Sequence, residues 1–273
     1  MKPKYSFSSR HTGQARDPKN FNKKRQEYLT LADKVIDSSD IVLQVLDARF
    51  IEATRNAEIE ESIKKKGKVL IYVINKSDLK DKLEDLPAPY VIVSCKERKG
   101  VKQLRNKIKE LASKIVKGGK VVVGVIGYPN TGKSSLINIL IGKKSAGTGS
   151  EAGFTKGIQK LKLSENIVLL DSPGVIPKKE YTTTQLKLLF KHAKVGARSY
   201  SQIKNPEEII TELINEFPGV LESFYKIDAK GDSEMLLDTL GKRANMFKRG
   251  GEVNVDQVSR LIIKDWQEGS IRL

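Results

Sequence analysis

Val121-Val-Val-Gly-Val-Ile126 runs straight into Gly127-Tyr-Pro-Asn-Thr-Gly132-Lys133-Ser134, and the fold turns on this junction. A short apolar run of this kind reads as a strand buried on both faces. The eight residues after it fit G-x-x-x-x-G-K-[ST], and an apolar-periodic helix, Leu136–Ile141, follows. In that setting the glycines let the backbone fold around phosphates, with its N–H groups pointing inward. Lys133 would reach the β- and γ-phosphates and Ser134 would ligate Mg²⁺. Asn130, Thr131, Gly132 and Ser135 complete the candidate contacts of this loop. The stretch predicts a nucleoside triphosphate site.

Working outward, the same run type recurs at Ile41–Leu46, Val69–Ile74, Tyr90–Val93 and Ile167–Leu170, mostly with helical stretches between. That spacing is the signature of βαβ units and a mostly parallel sheet covered on both faces. Ile158–Leu163 alternates apolar and polar residues, as an edge strand beside the Ile167 run would. The expected class is α/β, with a six-stranded sheet. Residues 1–22 read as a basic arm, 23–177 as the sheet domain, beginning with a helix over 23–38, and 178–273 as an all-helical domain. Its expected helices are Thr183–Ala193, Pro206–Glu216, Ser233–Met246 and Val255–Gln267, with Asn205 and Asn254 as capping candidates.

Asp171-Ser172-Pro173-Gly174 follows the Ile167 run, 38 residues after Lys133. An Asp at a strand end beside a phosphate loop holds Mg²⁺, and Gly174 can offer its N–H to a γ-phosphate. Between them Thr155 is the choice for a second Mg²⁺ hydroxyl, with Thr148 and Ser150 in competition. Asn75-Lys76-Ser77-Asp78 follows the Val69 strand. A carboxylate at Asp78 accepts from N1–H and the exocyclic amine of guanine, a donor pair that adenine lacks, so the wrong base leaves polar groups unpaired. Lys76 would pack over the base and Asn75 would tie loops together. Ser94-Cys95-Lys96 would complete the base pocket through a backbone N–H.

The 273 residues include 50 Lys and Arg against 33 Asp and Glu, a net charge of +17. Residues 1–25 hold eight basic residues and one acidic, whereas 178–273 hold sixteen and fourteen. A concentrated excess favours a polyanionic partner by counterion release; a Lys-rich surface kept for solubility is the plain alternative. One Cys (Cys95) excludes a disulfide framework, and two His residues (His11, His192) disfavour a His-based metal site. Without a long apolar run or a signal segment, a soluble cytoplasmic protein without a membrane partner is expected.

The five boxes together resemble those of GTPases, except that the two base-reading boxes precede the phosphate loop. That order is similar to the circularly permuted GTPases of the YlqF/RbgA type, which act in ribosome assembly. The resemblance extends to Val45-Leu46-Asp47-Ala48-Arg49 with Thr54 and Asn56, and to Gly250–Asp256 and Ile263–Gly269 in the tail. Two departures stand out: Ala152 where the family often has Pro, and Ser-Cys-Lys where it has Ser-Ala-Lys. The resemblance implies a GTPase, slow without a ribosomal or K⁺ activator, with ribosomal RNA, a subunit precursor or ribosomal proteins as partners. Val175 stands where many GTPases carry the water-orienting Gln, so another group must hold water. Asn130 matches the Asn that ligates K⁺ in potassium-activated GTPases. An RNA-binding protein whose GTP site mainly stabilises the fold, or a non-ribosomal regulatory GTPase, remains an alternative.

In the permuted order the D-x-x-G loop leads through Ile176-Pro177-Lys178-Lys179 into the helices, so loss of γ-phosphate contacts could reorient them. The stretch Lys96–Lys120 carries ten basic residues against Glu97 and Glu110. Its apolar stripe, Val101, Leu104, Ile108, Leu111 and Ile115, leaves Lys102, Arg105 and Lys109 as an outward rail. That rail and the N-terminal arm are the candidate contacts to RNA phosphates; a solvated Lys-rich helix is the alternative.

Overall fold

Seven consecutive buried residues make β1 (Ile41–Asp47) the middle of the sheet. It pairs in parallel with β2 (Val69–Asn75) on one side and β4 (Val121–Gly127) on the other. Beyond β2 lies β3 (Tyr90–Ile92) and beyond β4 lies β6 (Ile167–Asp171), both parallel. The alternating run forms β5 (Gln159–Lys162), which closes the edge antiparallel to β6. The strand order is β3-β2-β1-β4-β6-β5. This computed structural model describes residues 30–115, 119–142, 158–177, 180 and 186–273. The expected arm 1–22, the start of the first helix, Thr148, Ser150, Thr155 and Lys178-Lys179 lie outside the described residues.

Period-two alternation sorts the strand side chains into two cores. Ile41, Leu43 and Val45 pack with α4 (Val101–Ile115) and α5 (Lys133–Ile141) through Leu104, Ile108, Leu136 and Leu140. Val42 points the other way, into a core with Val35 and Ile36 of α1 (residues 30–38) and Ile59 and Ile63 of α3 (Ala57–Lys65). A short helix, α2 (Ile51–Thr54), sits between β1 and α3. Burial of each such aliphatic side chain contributes about 1.5–3 kcal/mol. The parallel strands therefore end together, and the loops after β1, β2, β4 and β6 meet at their carboxyl ends, where α/β sheets bind ligands.

Five α-helices follow among the described residues: α6 (Leu186–Lys194), α7 (Pro206–Glu216), α8 (Val220–Tyr225), α9 (Ser233–Arg243) and α10 (Val255–Glu268). Helix α9 stops before the expected Met246, and Asn245 beyond it takes a positive φ of 54°. Helix α8 has too few residues for a periodic signal. Asn254 caps α10 by accepting from the Gln257 N–H, but Asn205 does not cap α7; its amide donates to Glu208 instead. Trp266 of α10 stacks on Phe50, from the loop after β1, with ring centroids 6.1 Å apart. Tyr128 and Ile176 join the same core, so the helices rest on the carboxyl ends of the strands. Among the described residues no helix is long and apolar enough to cross a membrane.

The α4 rail is corrected at one position. Arg105 turns inward, donating from Nη2 to the carbonyls of Leu140 and Ile139 at the end of α5. Lys102 and Lys109 remain exposed, Leu111 and Ile115 are only half-buried, and Ala112 takes the core position. Long Arg side chains can satisfy the last carbonyls of a helix, which outweighs spacing on their own helix. Arg105→Ala is therefore expected to cost about 1–2 kcal/mol in urea unfolding, while Lys102→Ala and Lys109→Ala stay within about 0.5 kcal/mol.

Candidate nucleotide-binding site

The phosphate loop starts where β4 ends. Gly132 has φ +93°, and a Cβ there would lie 2.3 Å from Asn75 Nδ2, so a side chain is excluded by backbone and neighbour together. Lys133 opens α5 and is buried, donating from Nζ to the carbonyls of Tyr128 at 2.7 Å and Gly127 at 3.1 Å. Burial pulls its pKa down to about 8, against the opposing charge of Asp171 and with help from Lys76. Ser134 Oγ donates to Asp171 Oδ2 at 3.2 Å. A hydroxyl in the first turn of α5 beside a carboxylate at the end of β6 is a hard-oxygen set that fits Mg²⁺.

The D-x-x-G segment lies along this loop. The Val175 N–H donates to the Gly127 carbonyl at 3.0 Å, while the Val175 side chain is buried beside Ile36, Ile126 and Leu170. The position that carries Gln in many GTPases is a core residue here. Asn130 has φ +59° and donates from Nδ2 to the Gly196 carbonyl at 2.7 Å, so the loop is tied to the residues after α6. A second tie runs through buried Glu180, which accepts from Tyr128 Oη, Lys191 Nζ and His192 Nε2. Burial would raise its pKa, but those three hydrogen bonds hold it down at about 2. His192 is thus a structural partner of this carboxylate.

The base-side loops are cross-braced. Asn75 donates from Nδ2 to the Thr131 carbonyl at 2.8 Å and accepts at Oδ1 from the Cys95 N–H at 3.2 Å. One buried amide therefore joins the N-K-S-D box, the phosphate loop and the Ser-Cys-Lys loop. Ser94 Oγ donates to Asp78 Oδ1 at 2.6 Å, which orients that carboxylate. Burial, aided by the nearby Asp78 charge, pushes the Cys95 thiol up to about 12, so it stays a neutral wall. Lys76 takes a left-handed backbone, φ +61°, and its Nζ pairs with Asp47 Oδ2 at 2.8 Å.

Asp47, fully buried at the end of β1, also receives a two-pronged contact from Arg49, Nε to Oδ1 at 3.1 Å and Nη2 to Oδ2 at 2.9 Å. Burial alone would raise the carboxyl; the charges of Lys76 and Arg49 outweigh it and hold the group well below the usual carboxylate range. Burial lowers the pKa of Lys76, which Asp47 opposes. Arg49 Nη1 continues to the Trp266 carbonyl at 2.8 Å.

Asn75, Lys76, Asp78, Cys95, Lys96 and Ser135 converge on a cleft of about 300 Å³, and two residues from the end of α10, Glu268 and Gly269, also line it. Sequence reasoning placed no tail residue at the site. The available signal was the tail segment Ile263–Gly269, whose role only the tertiary contacts supply. Thr155 lies outside the described residues.

Residues 122–226 match the family model described as 50S ribosome-binding GTPase. Over those residues the chain is similar to a GTPase domain. It is 40% identical over 252 residues to an uncharacterized GTP-binding protein of Methanocaldococcus jannaschii, covering 88% of this chain and 65% of that one. It is 33% identical over 258 residues to Nucleolar GTP-binding protein 2 of Saccharomyces cerevisiae, covering 87% and 51%. The chain thus spans less than two thirds of these relatives. In fold it is similar to the GDP-bound structure of TM YlqF, with TM-score 0.61, 21% identity and 88% and 95% of the chains covered. The GNP-bound YlqF from T. maritima gives TM-score 0.59 at 20% identity, with 91% and 93% covered. The permuted GTPase fold expected from the order of the boxes is the one found.

Asp47→Asn leaves two cations, buried Arg49 and half-buried Lys76, around an uncharged amide. It is expected to cost about 3–5 kcal/mol, read from urea unfolding at pH 7, because the remaining charges lose their counterion.

Proposed function

We propose that the chain binds and hydrolyses GTP and that the nucleotide state gates its binding to ribosomal RNA or a ribosomal subunit precursor, in the cytoplasm. The observation that carries the nucleotide reading is the Asn75 brace, which sets base box and phosphate loop side by side. In this reading Asp78 takes the guanine N1–H and amine, Lys76 covers the base, and Ser94 orients Asp78. With the Cys95 N–H engaged by Asn75, the Lys96 N–H is the donor left in Ser94-Cys95-Lys96 for the guanine oxygen. Thr131, Gly132, Ser135 and Lys133 hold the phosphates, and Gly174 offers its N–H to the γ-phosphate.

Ser134 and Asp171 would hold Mg²⁺, with Thr155 as the further hydroxyl; the ion neutralises phosphate charge. Asn130, steadied by the Gly196 carbonyl, is the candidate for K⁺ activation. With Val175 buried in the core, water is positioned from elsewhere, which supports slow turnover in the absence of an activator. The assembly role rests on the family description and on the basic excess, in which exposed Lys102 and Lys109 take part. The helical region 178–273 would act as the responding domain, because the γ-phosphate loop leads into it.

Two measurements test this reading. Cosedimentation with ribosomal subunits should be strong with a non-hydrolysable GTP analogue and at least about fivefold weaker with GDP, a difference of roughly 1 kcal/mol. Equal binding in both states discards the gating.

The second concerns Lys133, whose ammonium in the free protein loses its proton near pH 8. Phosphate oxygens favour the charged form, so binding takes up a proton above that pH. Nucleotide affinity is expected to fall as pH rises beyond 8, by up to about tenfold per unit. Calorimetry at pH 8.5 in two buffers of different ionisation enthalpy reads the uptake, which is expected to vanish at pH 7.

A further inference from the structure

The last turn of α10 and the residues after it touch the base-side loops at three points. Arg49 bridges Asp47, the partner of Lys76, to the Trp266 carbonyl. Gly269 ends α10 with φ +77°, and its missing Cβ would lie 2.7 Å from Leu79 Cδ1. The Leu273 N–H donates to the Leu79 carbonyl at 2.9 Å. Leu79 is the third residue of the 3₁₀ turn Ser77–Leu79 that carries Asp78. Leu79 is 3% exposed, so the end of this turn is covered, with the tail against it.

From this geometry we infer that residues 268–273 belong to the base site and that Gly269 is a positioning residue for guanine selection. The tail holds the turn from outside while Ser94 holds the Asp78 carboxylate from inside. Asp78 must meet two donors on one edge of the base, and a turn displaced by a few tenths of an ångström cannot serve both. The exocyclic amine is the more sensitive of the two contacts, because a single-point hydrogen bond to N1–H survives a tilt that a two-point contact does not. A glycine is needed at 269 on two grounds: the left-handed backbone and the close approach to Leu79. The helical region is thereby a wall of the nucleotide site at its base end as well as a neighbour of its phosphate end.

This inference rests on the reading of Asp78 as the guanine-binding carboxylate, and the test separates the two. Affinities for GDP and for inosine diphosphate, which lacks the exocyclic amine, are measured by displacement of a fluorescent GDP. The native protein is expected to favour GDP at least tenfold, and Asp78→Asn to abolish that preference. If the native protein does not distinguish the two nucleotides, or Asp78→Asn keeps the preference, the base reading fails and takes the inference with it. Gly269→Ala is expected to weaken GDP about tenfold and inosine diphosphate about twofold, so the preference narrows about fivefold. Should Gly269→Ala fail to fold, Leu79→Ala removes the pad without adding a Cβ and should narrow the preference in the same way. Loss of stability with an unchanged preference ratio would reduce Gly269 to a helix terminator and overturn the inference.

Discussion

A single buried carboxylate, Asp47, holds the working end of this molecule together. It lies at the end of the central strand with no solvent to satisfy it, so it must be met by protein donors. Arg49 meets it two residues later and Lys76 meets it from the neighbouring strand end. Because Arg49 is buried with it and Lys76 is only partly exposed, removing any one of the three strands charge in a poorly solvated place. The N-K-S-D box is therefore anchored to β1 by charge, and Arg49 carries the anchor on to the last turn of α10.

The permuted order of the boxes places the chain's connections where this anchor can be used. With base loops first and phosphate loop second, the chain leaves the sheet after D-x-x-G and builds helices over the carboxyl ends of the strands. Asn130 and Tyr128, both in the phosphate loop, then find partners beyond the sheet, Gly196 directly and Lys191 and His192 through Glu180. The packing of Phe50 against Trp266 and Phe217 adds apolar area to the same junction. Among the described residues the phosphate loop and the Ser77–Leu79 turn thus both have a contact in the helical region.

Charge tells a more mixed story. The basic excess of the α4 stretch is visible in composition, yet its side chains have different employments. Arg105 satisfies carbonyls at the end of α5, and Lys107 and Lys114 share Glu110. Lys102 and Lys109 stay exposed. A polyanion would therefore meet a sparser surface than the sequence suggests.

Local chemistry determined the sheet, its parallel sense, the phosphate loop and the base box. Apolar runs of strand length can be buried only between two layers, and the box residues must follow their strands directly. Several helices were equally legible, since Pro206 and Asn254 mark their starts in the chain itself. Tertiary structure alone decided the employment of groups whose partners lie far along the chain. Examples are Arg49 with Trp266, Arg105 with Leu140 and Gly269 with Leu79. Side-chain reach and the packing angle of one helix on another settle these contacts, and neither leaves a periodic trace in sequence. Asn205 shows the limit at short range as well: its position suits a cap, but its amide meets Glu208 first. Spacing determines which groups can be neighbours, and the competition among donors and acceptors in the folded chain decides which of them are.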